Sequence, residues 1–178
     1  DLNDRRRLPE LLDWQHRECV HMIRTVLDCC AEEGDVRMAM QAGNMANTFF
    51  RVDLRGEAPP QRVYVQSELK DHPIWRRRKF WEDALLEGVG EHLGLTAPVQ
   101  WDELNPDGLR EAVLRVHNIV YAQLGTIAFT MKDVGMSRQQ VLEFVAAVSK
   151  RSQLAEDQEH EIVRSVFTMF QPSEQTPA

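Results

Sequence analysis

The chain has 178 residues, with 21 Lys+Arg against 28 Asp+Glu, a net charge of −7 and 43% hydrophobic residues. That length suits one domain with short tails and is enough to hide roughly 70% of the extended surface. The ordinary apolar and charged fractions exclude wholesale disorder and fibrous classes, and the acidic balance argues against nucleic acid as the partner.

Cysteine is sparse, at Cys19, Cys29 and Cys30, and an odd count with two adjacent thiols is not a secreted disulfide framework. No run approaches the ~18 apolar residues of a membrane span, and no secretory start is present. Starting at Asp1 rather than Met, the chain reads as a segment of a longer protein. The expected setting is cytoplasmic. Positive charge is front-loaded: residues 1–90 carry 14 basic and 16 acidic side chains, residues 91–178 carry 7 and 12.

Periodicity is helical almost throughout. From Leu8 to Glu33, apolar residues at Leu12, Cys19, Val20, Ile23, Val26, Leu27 and Cys30 form one face of a long helix. Gly34 ends it, and Asp35 caps a second helix expected to run through Phe50. So short a connection predicts an antiparallel hairpin over 8–50. Ala39, Ala42, Gly43 and Ala46 give the second helix a small-residue face on which another helix can pack closely.

Residues 53–62, with Gly56, Pro59 and Pro60, form a loop, and residues 62–66 alternate as a short extended stretch. A third helix is expected from Asp71-His72-Pro73 to Leu93, with Ile74, Trp81, Leu85, Val89 and His92 or Leu93 on one face. Asn105-Pro106 opens the longest helix, to Val134, with the stripe Leu109, Val113, Val116, Val120, Leu124, Ile127, Met131 and Val134. Ser137 with Gln140 makes a capping box for a helix to Lys150. A last helix, 155–170, turns Ile162, Val163, Val166, Phe167 and Phe170 inward, and 171–178 is a polar tail expected to be disordered. The expected fold is all-α, about six helices, with the hairpin packed on a helical bundle and 1–170 forming a single domain.

Catalytic motifs are scarce. Glu18-x-x-His21 has the spacing of an inward metal-ligand pair in helical bundles, and Asp157-x-x-His160 imitates it. Glu87, Glu111 and Glu143 only flank apolar stripes, so the ligand set is incomplete and neither a metal nor another cofactor is expected. Cys19 near His16 and His21 is helical proximity, not a nucleophile held against a base. Glu87-Gly-Val-Gly-Glu91 lacks the preceding strand of a phosphate loop. A metal or thiol enzyme using Glu18, His21 and His160 stands as the alternative class.

Two basic clusters stand out. Arg5-Arg6-Arg7 precedes the first helix. Arg76-Arg77-Arg78-Lys79 lies between Ile74-Trp75 and Phe80-Trp81. Arginine beside tryptophan serves either packing or a binding hot spot. Trp75 and Trp81, six apart on one helix, cannot face the same way. Trp81 falls on the inward stripe, which leaves Ile74, Trp75, Arg76, Arg77, Arg78, Lys79 and Phe80 as the candidate surface for an acidic partner. With Arg5, Arg6 and Arg7 the same charges could instead meet anionic lipid, as a peripheral membrane module.

Tyr64, Leu69, His72-Pro73-Ile74-Trp75, Phe80-Trp81-Glu82 and Ala84, followed by Asn118 and Gln123-Leu124-Gly125-Thr126, make a pattern with a known likeness. It resembles, over 61–170, the C-terminal death-domain-like segment of MADD, the exchange factor for synaptic-vesicle Rab proteins. The same segment occurs in the set-binding-factor pseudophosphatases and in a small uncharacterised vertebrate family, to which the 123–126 run is the closer. The resemblance implies an adaptor. In those proteins nucleotide exchange belongs to a separate DENN module, while this segment is associated with protein contacts, kinesin-3 motors on vesicles among them. It implies Ile74, Trp75, Phe80, Trp81, Leu124 and Gly125 as its motif. The expected function is a non-enzymatic interaction domain in trafficking or signalling that binds a partner helix, a motor stalk or a Rab-type GTPase.

Overall fold

The computed structural model describes residues 10–53, 60–94 and 105–171. Their order is α1 (Asp13–Glu33), α2 (Val36–Ala46), β1 (Phe50–Asp53), β2 (Gln61–Tyr64), two 3-10 turns (Val65–Glu68 and Pro73–Arg76), α3 (Arg78–Gly94), α4 (Pro106–Asp133), α5 (Arg138–Ser152) and α6 (Glu156–Met169). The six helices bear out the all-α class. The chain divides into two compact units, Asp1–Phe80 and Trp81–Ala178, and the expected loop at 53–62 falls within the first. The expected start at Leu8, the Arg5–Arg7 cluster, most of that loop and the tail beyond 171 lie outside the described residues.

In the N-terminal unit, α1 and α2 form the expected hairpin. Gly34 takes a left-handed φ of 74° and donates its N–H to the Cys30 carbonyl, a conformation glycine adopts without a Cβ penalty. Asp35 then accepts from the Met38 N–H at 2.9 Å to start α2. Ile23, Leu27 and Cys30 of α1 and Ala39, Ala42, Gly43 and Ala46 of α2 are buried, so the small-residue face is used for packing. Leu12, expected inward, is exposed.

The second helix stops at Ala46, four residues short of its expected end. Thr48 turns its hydroxyl onto the Met45 carbonyl at 2.7 Å. Phe50–Asp53 then pairs antiparallel with Gln61–Tyr64, in the register Phe50↔Tyr64 to Asp53↔Gln61. Aromatic and β-branched residues suit a strand once a partner strand is present. Here the short alternating stretch at 62–66 finds that partner in what read as helix.

The expected helix from 71 is broken. His72 caps the 3-10 turn Pro73–Arg76, Arg77 is extended (φ −83°, ψ 113°), and α3 begins at Arg78. The reason lies in the six-residue spacing of the tryptophans. A continuous helix would turn Trp75 and Trp81 about 240° apart. The break at Arg77 lets both be buried.

In the C-terminal unit, the Asn105 side chain caps α4 through the Gly108 N–H at 2.8 Å, with Pro106 in the first turn. Gly135 (φ 83°) turns the chain, and Ser137 with Gln140 forms the expected capping box. Leu124, Ile127, Ala128, Met131 and Val134 of α4 and its turn are buried, together with Val141, Phe144, Val145 and Val148 of α5 and Ile162 and Val166 of α6. Two expectations fail here. Phe167 lies exposed, with Arg138 5.1 Å from its ring centroid. The first half of the α4 stripe is not core, since Leu109 and Val113 are exposed and Val116 and Val120 only half-buried. No helix among the described residues is long and apolar enough to cross a membrane.

Candidate functional site

Residues 72–80 hold every residue singled out as a partner surface. His72 is buried, its Nδ1 accepts the Ile74 N–H at 3.3 Å, and its Nε2 therefore carries the proton shared with Asp28 Oδ1 at 3.1 Å. Trp75 is 2% exposed and donates its indole N–H to the Leu69 carbonyl at 2.9 Å. Its ring meets Phe80 edge-on at 5.3 Å between centroids. A Cβ placed on Gly43 of α2 would lie 3.4 Å from the Trp75 Cη2, at ordinary van der Waals contact, so the indole packs directly against α2.

These contacts correct the expected surface. Ile74, Trp75 and Phe80 are core side chains of the N-terminal unit and present nothing to a partner. The packing reading of the aromatic pair, weighed against the hot-spot reading, is the one the geometry carries. Arg76, Arg77, Arg78 and Lys79 remain exposed. Arg77 donates to the Ala31 carbonyl at 2.8 Å, putting a cation on the last turn of α1, where the helix dipole is negative. The cluster is thus a basic edge mounted on a rigid aromatic base.

The candidate metal and thiol groups are not assembled. Glu18 and His21 are exposed on α1, and His160 is exposed on α6 in the other unit. Among the described residues no three His, Cys, Asp or Glu side chains converge as metal ligands. Burial raises the Cys19 and Cys30 thiols above their ordinary value, with Asp35 adding to the effect at Cys30, which disfavours the nucleophilic thiolate. The Gly-x-Gly at 88–90 lies inside α3, where a Cβ on Gly88 would meet only the movable end of the Gln123 side chain and one on Gly90 would meet nothing within 4 Å.

A second surface went unread in the sequence. Leu109 is 46% exposed, Val113 41% and Leu114 55%, whereas Leu124 on the same helix is fully buried. Helix lengths explain this. α4 has 28 residues and spans about 42 Å, while α5 and α6, with 15 and 14, span about 22 Å each. Gln158, near the start of α6, reaches Asn118 at 2.9 Å, so α6 covers α4 only from there on. Of the first three turns of α4, only Ala112 is buried. The signal was available, because the element lengths alone imply an uncovered end; what hid it was the unbroken apolar period. No family model, curated protein or solved structure matches the chain.

Proposed function

We propose that the chain is a non-enzymatic interaction domain that receives an amphipathic helix on the first turns of α4. The observation that carries this is the half-covered stripe: one helix face, continuous in apolar character, is buried from Leu124 onward and exposed at Leu109 and Val113. Exposed aliphatic side chains grouped on one helix face favour a partner that removes them from water. A helix is the matching shape, since an apolar face read at i, i+3 and i+4 lays into such a surface. Arg110, one position round from Leu109, is exposed beside the stripe and can pair with an acid on the incoming helix.

The exposed basic edge at 76–79 favours acidic partners as well, without its aromatic neighbours taking part. The resemblance to the MADD-type segment supports the same class of role, an adaptor in cytoplasmic transport or signalling that engages a motor stalk or a Rab-type GTPase. The membrane reading rests on the same edge and predicts a different outcome. The test is affinity purification from cells with the wild-type chain, a Leu109→Asp/Val113→Asp variant and an Arg76→Glu/Arg78→Glu/Lys79→Glu variant, all checked for native helicity. Partners lost with the first variant support the α4 surface. Unchanged recovery with both folded variants sinks the interaction reading, and sedimentation with anionic vesicles lost in the charge variant would favour the membrane one.

A further inference from the structure

The N-terminal unit holds a feature that an adaptor role leaves unused. An open polar pocket of about 440 Å³ is lined by Asp13, His16, Arg17, Val20, Arg51 and Glu68. A volume of this order suits a small molecule. Asp13, His16 and Val20 fall three and four residues apart, so one face of α1 makes one wall, and β1 contributes Arg51 from the side of the strand opposite the buried Phe50.

One group lining this pocket has no partner in the protein, and a second is held only by long ion pairs. His16 is 2% exposed, and its Nε2 is buried with no hydrogen-bond partner. Leaving a buried polar atom unpaired is costly, and buried polar groups are nearly always paired. Arg51 has a side chain only 20% exposed, and its guanidinium lies 3.7 Å from Asp13 and 3.6 Å from Asp53. Both separations exceed the ~2.7–2.9 Å of a charge-assisted hydrogen bond. The two carboxylates hold the guanidinium in place without a short bond to either. The guanidinium, a planar fork of five donors, and the His16 imidazole thus line the same pocket.

We propose that this pocket binds a small oxyanion, a carboxylate or phosphate group, with Arg51 and Arg17 supplying charge and His16 Nε2–H donating the buried hydrogen bond. Polarity is graded along the pocket. His16 is buried and Arg51 partly so, whereas Asp13 and Glu68 are exposed and form the rim. The anionic end of a ligand enters first, and hydroxyl or amino groups at its other end meet the acids. The apolar Val20 wall leaves room for a short carbon skeleton between them.

The test uses the full chain labelled with ¹⁵N. Sodium phosphate and sodium acetate are titrated separately at fixed ionic strength, with sodium chloride as the control. Backbone amides of residues 13–20 and 51 and the His16 ring nitrogens are followed. The expected result is a saturable shift confined to these residues with phosphate, acetate or both, the arm that saturates naming the group. Arg51→Gln should weaken it at least about ten-fold, the loss of one charge-assisted pair. His16→Phe should weaken it similarly. Arg51→Gln, at a strand surface, keeps the test valid should the histidine variant fail to fold. Shifts equal to those with chloride, shifts that never saturate, or shifts unchanged in folded Arg51→Gln overturn the proposal.

Discussion

Each unit is built by a different kind of internal interaction. In the N-terminal unit, short elements are fastened by hydrogen bonds between residues far apart in sequence: Arg24 to the Glu68 carbonyl and to Asp71, His72 to Asp28, Arg77 to the Ala31 carbonyl. In the C-terminal unit, long helices pack through apolar faces. Its side-chain hydrogen bonds are mostly within one helix or its cap, as with Thr126 to the Ala122 carbonyl and Thr130 to the Thr126 carbonyl. The difference teaches that helix-rich composition does not imply one mode of construction. A four-residue strand or a 3-10 turn buries too little to hold itself. Where such elements dominate, polar side chains must pin backbone that no helix ladder satisfies.

The sharpest way to break the N-terminal mode is Trp75→Ala. It removes a fully buried ring and leaves the Leu69 carbonyl without its indole donor. The expected cost is about 3–5 kcal/mol by urea titration, enough to unfold this unit under mild conditions. A cost below 1 kcal/mol would mean that Trp75 is a surface residue after all.

The C-terminal mode is tested by two leucines on one helix. Leu124→Ala should cost about 3 kcal/mol, since it opens a cavity, and Leu109→Ala only about 0.5 kcal/mol, since its side chain is already half in water. Equal costs in thermal or urea unfolding would show that the first turns of α4 are covered in solution, and would remove the ground for a docking surface there.

The smallest effect concerns the thiols. Cys29 is exposed while Cys30 is buried, so iodoacetamide should label Cys29 first and Cys30 last. Burial raises the Cys30 thiol in the folded chain, so the unfolded chain loses that proton first as pH rises. The native state then binds more protons than the unfolded one, and stability falls as pH climbs past the ordinary thiol value of 9.0. Cys30→Ala should flatten that alkaline decline in urea midpoints measured from pH 8 to 10.

Much of this architecture was legible in the residues. Gly34, Asp35, Asn105-Pro106, Gly135 and the Ser137–Gln140 pair each act within a few residues of themselves, so their sequence neighbours suffice to identify them. The strand at 50–53 was not legible, because Phe49 and Phe50 continue an acceptable helix until Gln61–Tyr64 arrives to pair with them. The break at Arg77 was hidden for a similar reason, as four basic residues in a row carry no period.

The candidate sites divide along the same line. The exposure of the basic run at 76–79 could be read from its charge alone, because desolvating four cations is prohibitive. Whether Trp75 pointed out or in could not, since both tryptophans demanded burial and only a backbone break allows it. The pocket joining His16 to Arg51 brings together residues 35 apart in sequence that no spacing rule connects.

What the amino-acid sequence determined by itself is what short-range physics controls: helical class, caps, the α1–α2 hairpin and the charge of each face. What only the tertiary structure decided is which apolar residues find a neighbour. Leu109 and Leu124 lie on the same stripe of the same helix and share one periodicity, yet one is nearly half exposed and the other wholly buried. Burial is a property of the space beside a residue, and the lengths and placement of other helices set that space.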